Sequence, residues 1–227
     1  MISEISILLA DDHQLVRQGL KKLLELDTGF KVVGEADNGR AVMLLSQQLS
    51  PSIILMDIAM PILNGIEASR QILRHLPSTR ILILSAHRND TYTEDLMALG
   101  VAGYVQKNDS YSVLAQAIRQ IVRGGTYFNQ STRRSRSFTD TDCAYGKHLS
   151  SREMEVLQLI AEGEANKQIA GNLQISIKTV EKHRQNVMNK LRIHDTAGLT
   201  RYAIGAGIIE CPIDPTLLSM SQARACV

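Results

Sequence analysis

Asp11 and Asp12 follow the apolar run Ile5–Ala10, and Asp57 follows Ile53–Met56. Ser85 follows Ile81–Leu84, and Lys107 comes just after Val101–Val105. Clustered carboxylates repel one another, so a pocket that keeps them ionised calls for a cation. Hard oxygen ligands with a few waters suit Mg²⁺, which also chelates phosphate oxygens. A carboxylate neutralised in this way can attack a phosphoryl group and form an acyl phosphate. Lys107 adds positive charge for the phosphate oxygens, and Ser85 a hydroxyl donor. Singly, each residue has a plainer reading: the Asp pair as a helix cap, Asp57 as a turn residue ahead of Pro61 and Gly65. Their order and their matching positions argue for a site. A nucleotide pocket fits poorly, because DDHQLVRQG and not a glycine-rich loop follows the first run.

The elements that must position these residues alternate. Strand-like runs at Ile5–Ala10, Lys31–Glu35, Ile53–Met56, Ile81–Leu84 and Val101–Val105 are separated by helical patterns at His13–Leu26, Gly39–Leu49, Gly65–Leu76, Asp90–Leu99 and Ser110–Arg123. Such βα units predict a doubly wound, mostly parallel sheet with helices on both faces. The first run is uniformly apolar, as burial on both faces requires. Such sheets place ligands outside the carboxyl ends of their strands, where the strand order reverses. In a five-stranded sheet of order 2-1-3-4-5, strands 1 and 3 meet at that point. All the polar chemistry of this half then converges on one edge.

Gly124-Gly125 closes the last of these helices, and NQSTRRSRSFTDTDCAYGKH reads as a polar linker. Its Arg133, Arg134 and Arg136 fit phosphate contacts or simple solubilising charge. From Ser150 the period is helical. Ser150 and Glu153 form a capping box ahead of Met154, Leu157, Ile160 and Ala161. Further helices are expected at Asn166–Leu173, Ile177–Leu191 (capped by Ser176) and Thr196–Ala206, with Pro212 and Pro215 opening a tail. The division is therefore 1–128, a linker at 129–147, an all-α four-helix unit at 148–211 and a tail at 212–227. The second and third helices, joined by a short turn, have the form of a helix-turn-helix. Ile177, Val180, Val187 and Leu191 point one way, while Lys178, Glu181, Lys182, Gln185 and Asn189 face the other.

The chain has 227 residues and a formal charge of only +2. Residues 1–128 carry a net −1, whereas 167–201 hold 7 Lys/Arg against 2 Asp/Glu. That concentration suits a polyanion partner. Lys182 and Gln185 are the candidate base readers, Lys178, Arg184, Lys190, Asn166 and Lys167 suit the DNA backbone, and Thr179 is a further candidate DNA contact. Glu181 either reaches a cytosine amino group or pairs with neighbouring lysines. The odd cysteines Cys143, Cys211 and Cys226 lack ligand spacing and read as inert cytosolic thiols. No apolar run approaches the roughly 20 residues of a membrane span. The start MISEISILLADD reads as a strand and not a signal peptide, which suits the cytoplasm and no membrane partner.

The segments ILLADDH, IILMDIAMPILNGIE, ILILSAH and GVAGYVQK resemble the receiver domain of two-component signalling, which is flavodoxin-like in fold. The stretch LSSREMEVLQLIAEGEANKQIAGNLQISIKTVEKHRQNVMNKL resembles the LuxR-type DNA-binding domain, and together they are similar to NarL/FixJ-type response regulators. The resemblance implies that Asp57 is the phosphoacceptor. It implies Mg²⁺ bound directly by Asp12, through water by Asp11, and by Asp57 and the Ala59 carbonyl. It further implies Ser85 as switch hydroxyl, Lys107 as phosphate contact and Tyr104 as rotating aromatic; an ordinary half-buried strand tyrosine is the alternative. Asn108 stands where many receivers carry proline, and HDTAGL where many LuxR-type domains carry Asn-Arg-Thr. His87 and Ala59 stand where receivers tune phosphate lifetime.

The expectation is a transcriptional regulator that accepts phosphate at Asp57 from a histidine kinase or small phosphodonor and binds double-stranded DNA, as a homodimer when phosphorylated. No enzymatic activity beyond its own phosphoryl transfer and dephosphorylation is expected. An aspartyl-phosphate phosphatase usually has a second acid two residues after its nucleophile, where this chain has Ala59. A DNA-binding protein with a vestigial receiver is the third reading, and the intact acidic set argues against it.

Overall fold

The computed structural model describes residues 4–86, 91–128 and 149–209. His87, the linker with its arginines, the three cysteines and the tail lie outside them. Five parallel strands, β1 (Ile5–Ala10), β2 (Phe30–Ala36), β3 (Ile53–Asp57), β4 (Ile81–Ser85) and β5 (Gly103–Gln106), form one sheet in the order β2-β1-β3-β4-β5. Helices α1 (Gln14–Glu25), α2 (Gly39–Leu49), α3 (Gly65–His75), α4 (Thr91–Leu99) and α5 (Tyr111–Val122) connect and follow the strands.

Strand periodicity divides the apolar side chains between two cores. Leu8, Ala10, Ile54, Met56, Ile81 and Ile83 face one way, with Val42 of α2 and Ile66, Ala68 and Ile72 of α3. Ile7, Leu9, Ile53, Leu55, Leu82 and Leu84 face the other, against Leu24 of α1 and Leu114, Ala117, Ile118 and Ile121 of α5. Burial on both faces explains why these strands are continuously apolar.

β5 begins at Gly103, two residues later than the apolar run suggests, although the Ala102 amide still donates to the Ile81 carbonyl at 2.8 Å. The chain after α5 returns beside this strand. The Tyr104 amide donates to the Tyr127 carbonyl and the Tyr127 amide to the Ala102 carbonyl, at 2.8 and 2.9 Å. Part of the sheet's outer edge is thereby paired.

The second unit comprises α6 (Ser151–Ala161), α7 (Asn166–Leu173), α8 (Ile177–Leu191) and α9 (Thr196–Gly205). The capping box at Ser150 and Glu153 is formed, and Ser176 caps α8 by accepting from the Thr179 amide at 3.1 Å. Gln174, left-handed at φ 53°, ends α7 and turns the chain into α8. Val180 and Val187 are buried against the core of this unit and Leu191 is half-buried. Ile177 departs from the expected inward set: it is 45% exposed, because as the first residue of α8 it lies at the helix end, between exposed Ser176 and Lys178.

The two units meet along α6, whose residues Glu153–Ile160 are all buried. One side of this helix closes the four-helix core; the other lies on α3 and on the loop between β3 and α3. That loop ends at Gly65, whose amide donates to the Ile58 carbonyl at 2.8 Å. A β-carbon there would collide with the Asp57 carbonyl. Gly65→Ala is therefore expected to destabilise the protein by on the order of 2–4 kcal/mol, since backbone offers no soft neighbour to yield. Gly19→Ala, in an exposed turn of α1 with nothing near its new methyl group, is expected to gain about 0.5–1 kcal/mol. Urea denaturation of the two variants checks the contrast.

Candidate functional site

Strand ends β1 and β3 are neighbours, with Ala10 level with Met56, so Asp11 and Asp57 emerge side by side where the strand order reverses. Asp57 pairs in register with Leu84, and Ser85 with Gln106, which brings the ends of β4 and β5 to the same edge. The Lys107 amide donates to the Ser85 carbonyl at 2.8 Å, tying those two ends together.

The Lys107 ammonium lies 2.7 Å from Asp57 Oδ2 and 2.8 Å from Asp11 Oδ2, bridging two buried carboxylates. Ligand atoms of Asp11, Asp12, His13 and Asp57 all fall within 4.8 Å of one another, a cluster able to hold a metal ion. Burial pushes the Asp57 carboxyl up to about 6, against the opposing pull of Lys107, while the Asp11 and Asp12 charges push further up. Lys107 is held above its ordinary value: burial alone would lower it, but the charges and hydrogen bonds of Asp57 and Asp11 prevail.

The Asp pair does not cap α1. Its N-cap is His13, without a side-chain cap bond, and Asp11 Oδ1 instead accepts from the His13 amide at 2.8 Å. Arg17 donates to the Asp11 carbonyl at 2.6 Å and fixes this turn from the first part of α1. His13, whose Nδ1 lies 2.8 Å from Asp12 Oδ1, belongs to the cluster but was not anticipated. Its place directly after the Asp pair was the available signal. The structure thus gathers Asp11, Asp12, Asp57 and Lys107, with buried Ser85 at the adjoining strand end. Ala59 sits half-buried in the loop after Asp57, and Tyr104 half-buried on β5 level with Ile83.

The second cluster lies on α8. Lys178, Glu181, Lys182, Gln185 and Asn189 are all exposed, with Thr179 half-buried at the helix start, and the docked α6 leaves this face uncovered. Gln185 donates to Asn189 Oδ1 at 3.0 Å along the face. Glu181 makes no ion pair with the nearby lysines among the described residues. Two cations expected on the DNA backbone have partners inside the protein. Arg184 donates to Thr196 Oγ1 at 2.6 Å and Asn166 Oδ1 at 3.4 Å, linking α7, α8 and α9. Lys190 lies 2.7 Å from Glu153 Oε2. Burial would raise Glu153, but Lys190 and the Ser150 bonds hold it below the usual carboxylate value. Lys167 is exposed on α7. No helix among the described residues is long and apolar enough to cross a membrane.

Comparison with known proteins finds two families, matched by different parts of the chain. Residues 7–119 match the response regulator receiver domain, and 147–203 match the bacterial regulatory proteins of the luxR family. Transcriptional regulatory protein MctR of Rhizobium johnstonii is 37% identical over 214 residues, covering 91% of this chain and 96% of that protein. Response regulator protein VraR of Staphylococcus aureus is 33% identical over 207 residues, covering 91% and 99%. The structure of RcsB from Salmonella enterica serovar Typhimurium, bound to promoter rprA in the presence of the phosphomimetic BeF3⁻, aligns with a TM-score of 0.58. It is 28% identical, covering 88% of this chain and 98% of that one. With a lysine-bridged acidic cluster at the switch point of one unit and an exposed recognition-type helix in the other, the chain belongs to the two-component response regulators that join a receiver to a LuxR-type DNA-binding domain.

Proposed function

We propose that Asp57 is the phosphoacceptor and that its phosphorylation controls DNA binding through α8. The bridge from Lys107 to Asp57 and Asp11, at the edge where a doubly wound sheet binds ligands, carries this reading. An Asp57 oxygen attacks the phosphorus of a histidine kinase phosphohistidine or an acyl phosphate. The new O–P bond forms as the bond to the donor breaks, and the donor keeps that electron pair. Lys107 stays beside the reacting carboxylate and offsets charge on the phosphoryl oxygens. Ser85 supplies a hydroxyl from the next strand end, and Tyr104 is the aromatic that follows its movement. Because Ala59 offers no acid two residues after the nucleophile, no outside substrate is turned over.

The donor set fits a hard divalent ion. Asp11 Oδ2 and Asp12 Oδ1 are buried without a well-aligned hydrogen bond, although each has a cationic or imidazole neighbour. Asp11, Asp12, Asp57 and the Ala59 carbonyl would hold Mg²⁺, which when bound supplies the positive charge that keeps Asp57 ionised and orders phosphoryl oxygens.

In the second unit, α8 enters the major groove with Lys182 and Gln185 at base edges and Glu181 within reach of them. Lys178, Thr179, Asn166 and Lys167 hold phosphates, with Arg184 and Lys190 at the border of the footprint. A homodimer, formed on phosphorylation, spans two half-sites in the cytoplasm. The receiver occupies 1–128, the linker 129–147, the DNA-binding domain 148–211 and the tail 212–227. The RcsB complex with promoter DNA and a phosphomimetic supports both halves of this reading.

Asp57→Asn is expected to abolish Mg²⁺-dependent labelling by a small phosphodonor, and undiminished labelling would reject the assignment. The same substitution tests the electrostatics of the site. The folded, metal-free protein binds a proton at Asp57 up to about pH 6, while an unfolded chain releases it near 3.8. Charge on Asp57 therefore lowers stability above pH 6, and the loss fades as pH falls towards 3.8. At pH 7 the penalty is on the order of 3 kcal/mol. With a chelator present, the Asn variant should melt higher than the parent at pH 7, the difference shrinking towards pH 4.

On DNA, Gln185→Ala should cost about 1–3 kcal/mol and relax base preference at one position of each half-site. Lys178→Ala should instead weaken all sequences alike and make the salt slope shallower by about 1. Affinities over a series of salt concentrations separate the two.

A further inference from the structure

The loop between β3 and α3 is fastened to α6 by a side chain of the other domain. Gln158, wholly buried, accepts at Oε1 from the Asn64 amide at 2.9 Å and from Asn64 Nδ2 at 3.0 Å. Its Nε2 donates to the Met60 carbonyl at 2.8 Å and to Glu162 Oε1 at 2.7 Å. All four hydrogen-bonding capacities of the carboxamide are used, and two of its partners are loop backbone groups. Beside it, the Ile62 amide donates to Glu162 at 3.2 Å. Ile62 has φ 70°, and the Leu63 amide donates to the Pro61 carbonyl at 2.7 Å across it. That is a γ-turn of the strained hand, centred on a β-branched residue that disfavours it. Contacts from α6 thus hold a loop shape that its own sequence resists.

The fastened segment runs from Met60 to Asn64 and begins next to Ala59. We propose that Gln158 is a positioning residue for the phosphoryl site: from the DNA-binding domain, it fixes the loop that presents the Ala59 carbonyl to the cation. This inference rests on the reading of Asp11, Asp12, Asp57 and Ala59 as the Mg²⁺ site. Groups beyond the ligands commonly set metal affinity by orienting them, and here the orienting group comes from the second domain. It also differs from a shield over the DNA-reading face, because the exposed residues of α8 lie away from it.

The test uses the full chain with Gln158→Leu, which keeps the bulk and removes all four bonds. Glu162→Ala, at an exposed position, removes the acceptor of Ile62 and one acceptor of Gln158 Nε2, leaves the three bonds of Gln158 to Asn64 and Met60, and guards against loss of the fold. Amide hydrogen exchange over residues 58–64 is expected to accelerate about tenfold or more in Gln158→Leu, and at Ile62 in Glu162→Ala. Calorimetric titration with Mg²⁺ alone should show affinity reduced about tenfold in Gln158→Leu. Binding to a nonspecific DNA duplex should be unchanged. Unaltered exchange would show that α6 does not fasten the loop. Faster exchange with unaltered Mg²⁺ affinity would overturn the positioning role. A parent protein that binds no Mg²⁺ would instead reject the site reading beneath it.

Discussion

The strand ends of the sheet are arranged around one constraint, a buried carboxylate at Asp57 that must carry charge at a place where charge is costly. Burial drives its carboxyl up and the neighbouring acids push the same way, to about 6 even with Lys107 pulling against them. Lys107 is the counterweight, and its position is inherited from the sheet. Its amide is tied to Ser85, its strand is stitched on the far side to Tyr127, and its ammonium reaches the two carboxylates that β1 and β3 deliver. β1, β3, β4 and β5 therefore each have a polar end to satisfy together with their neighbours, and apolar cores on both faces hold the strands that carry it. An arrangement of this kind trades stability for reactivity, as buried functional charges generally do.

Most of the fold was readable because its signals are local. Uniformly apolar runs of strand length, Ser150 with Glu153, Ser176 before α8 and Gly124 after α5 each encode one backbone decision. The chemistry was readable because strand ends in a doubly wound sheet converge, so Asp11, Asp57 and Lys107 could be brought together without knowing any distance. What could not be read depends on which surfaces meet. Ile177 carries the right period for the core, yet it opens α8 and stays exposed while Val180, three residues on, is buried. Arg184 and Lys190 count as positive charge in any window, but Thr196 and Glu153, far along the chain from one or both, bind them inside the protein. Gln158 and Glu155 look like the solvated side of α6 and are buried there by the receiver. No periodicity announces a helix that is covered on its polar side by another domain.

That covering also explains why the interface carries amides and carboxylates beside its apolar contacts. Gln71 and Arg40 reach Glu155 at 2.9 and 3.2 Å, alongside the contacts of Gln158 with Asn64 and Met60. The apolar cluster of Met60, Leu63 and Ile66 runs on into Met154, Leu157 and Leu159 of α6, so the seam combines a shared core with a polar border. Hydrogen bonds exchanged with solvent leave a small net free energy, so these polar contacts set the register of the two units more than they hold them together.

The return of Tyr127 to the edge of β5 has a further effect. It anchors the point from which the chain leaves the receiver, one strand away from Lys107, and α6 begins again at residue 151. Covalent connection over so few residues makes docking an intramolecular event, with an effective concentration on the order of millimolar. Joined in this way, the two units lose little translational freedom on docking, so each contact between them counts for more than it would between separate molecules.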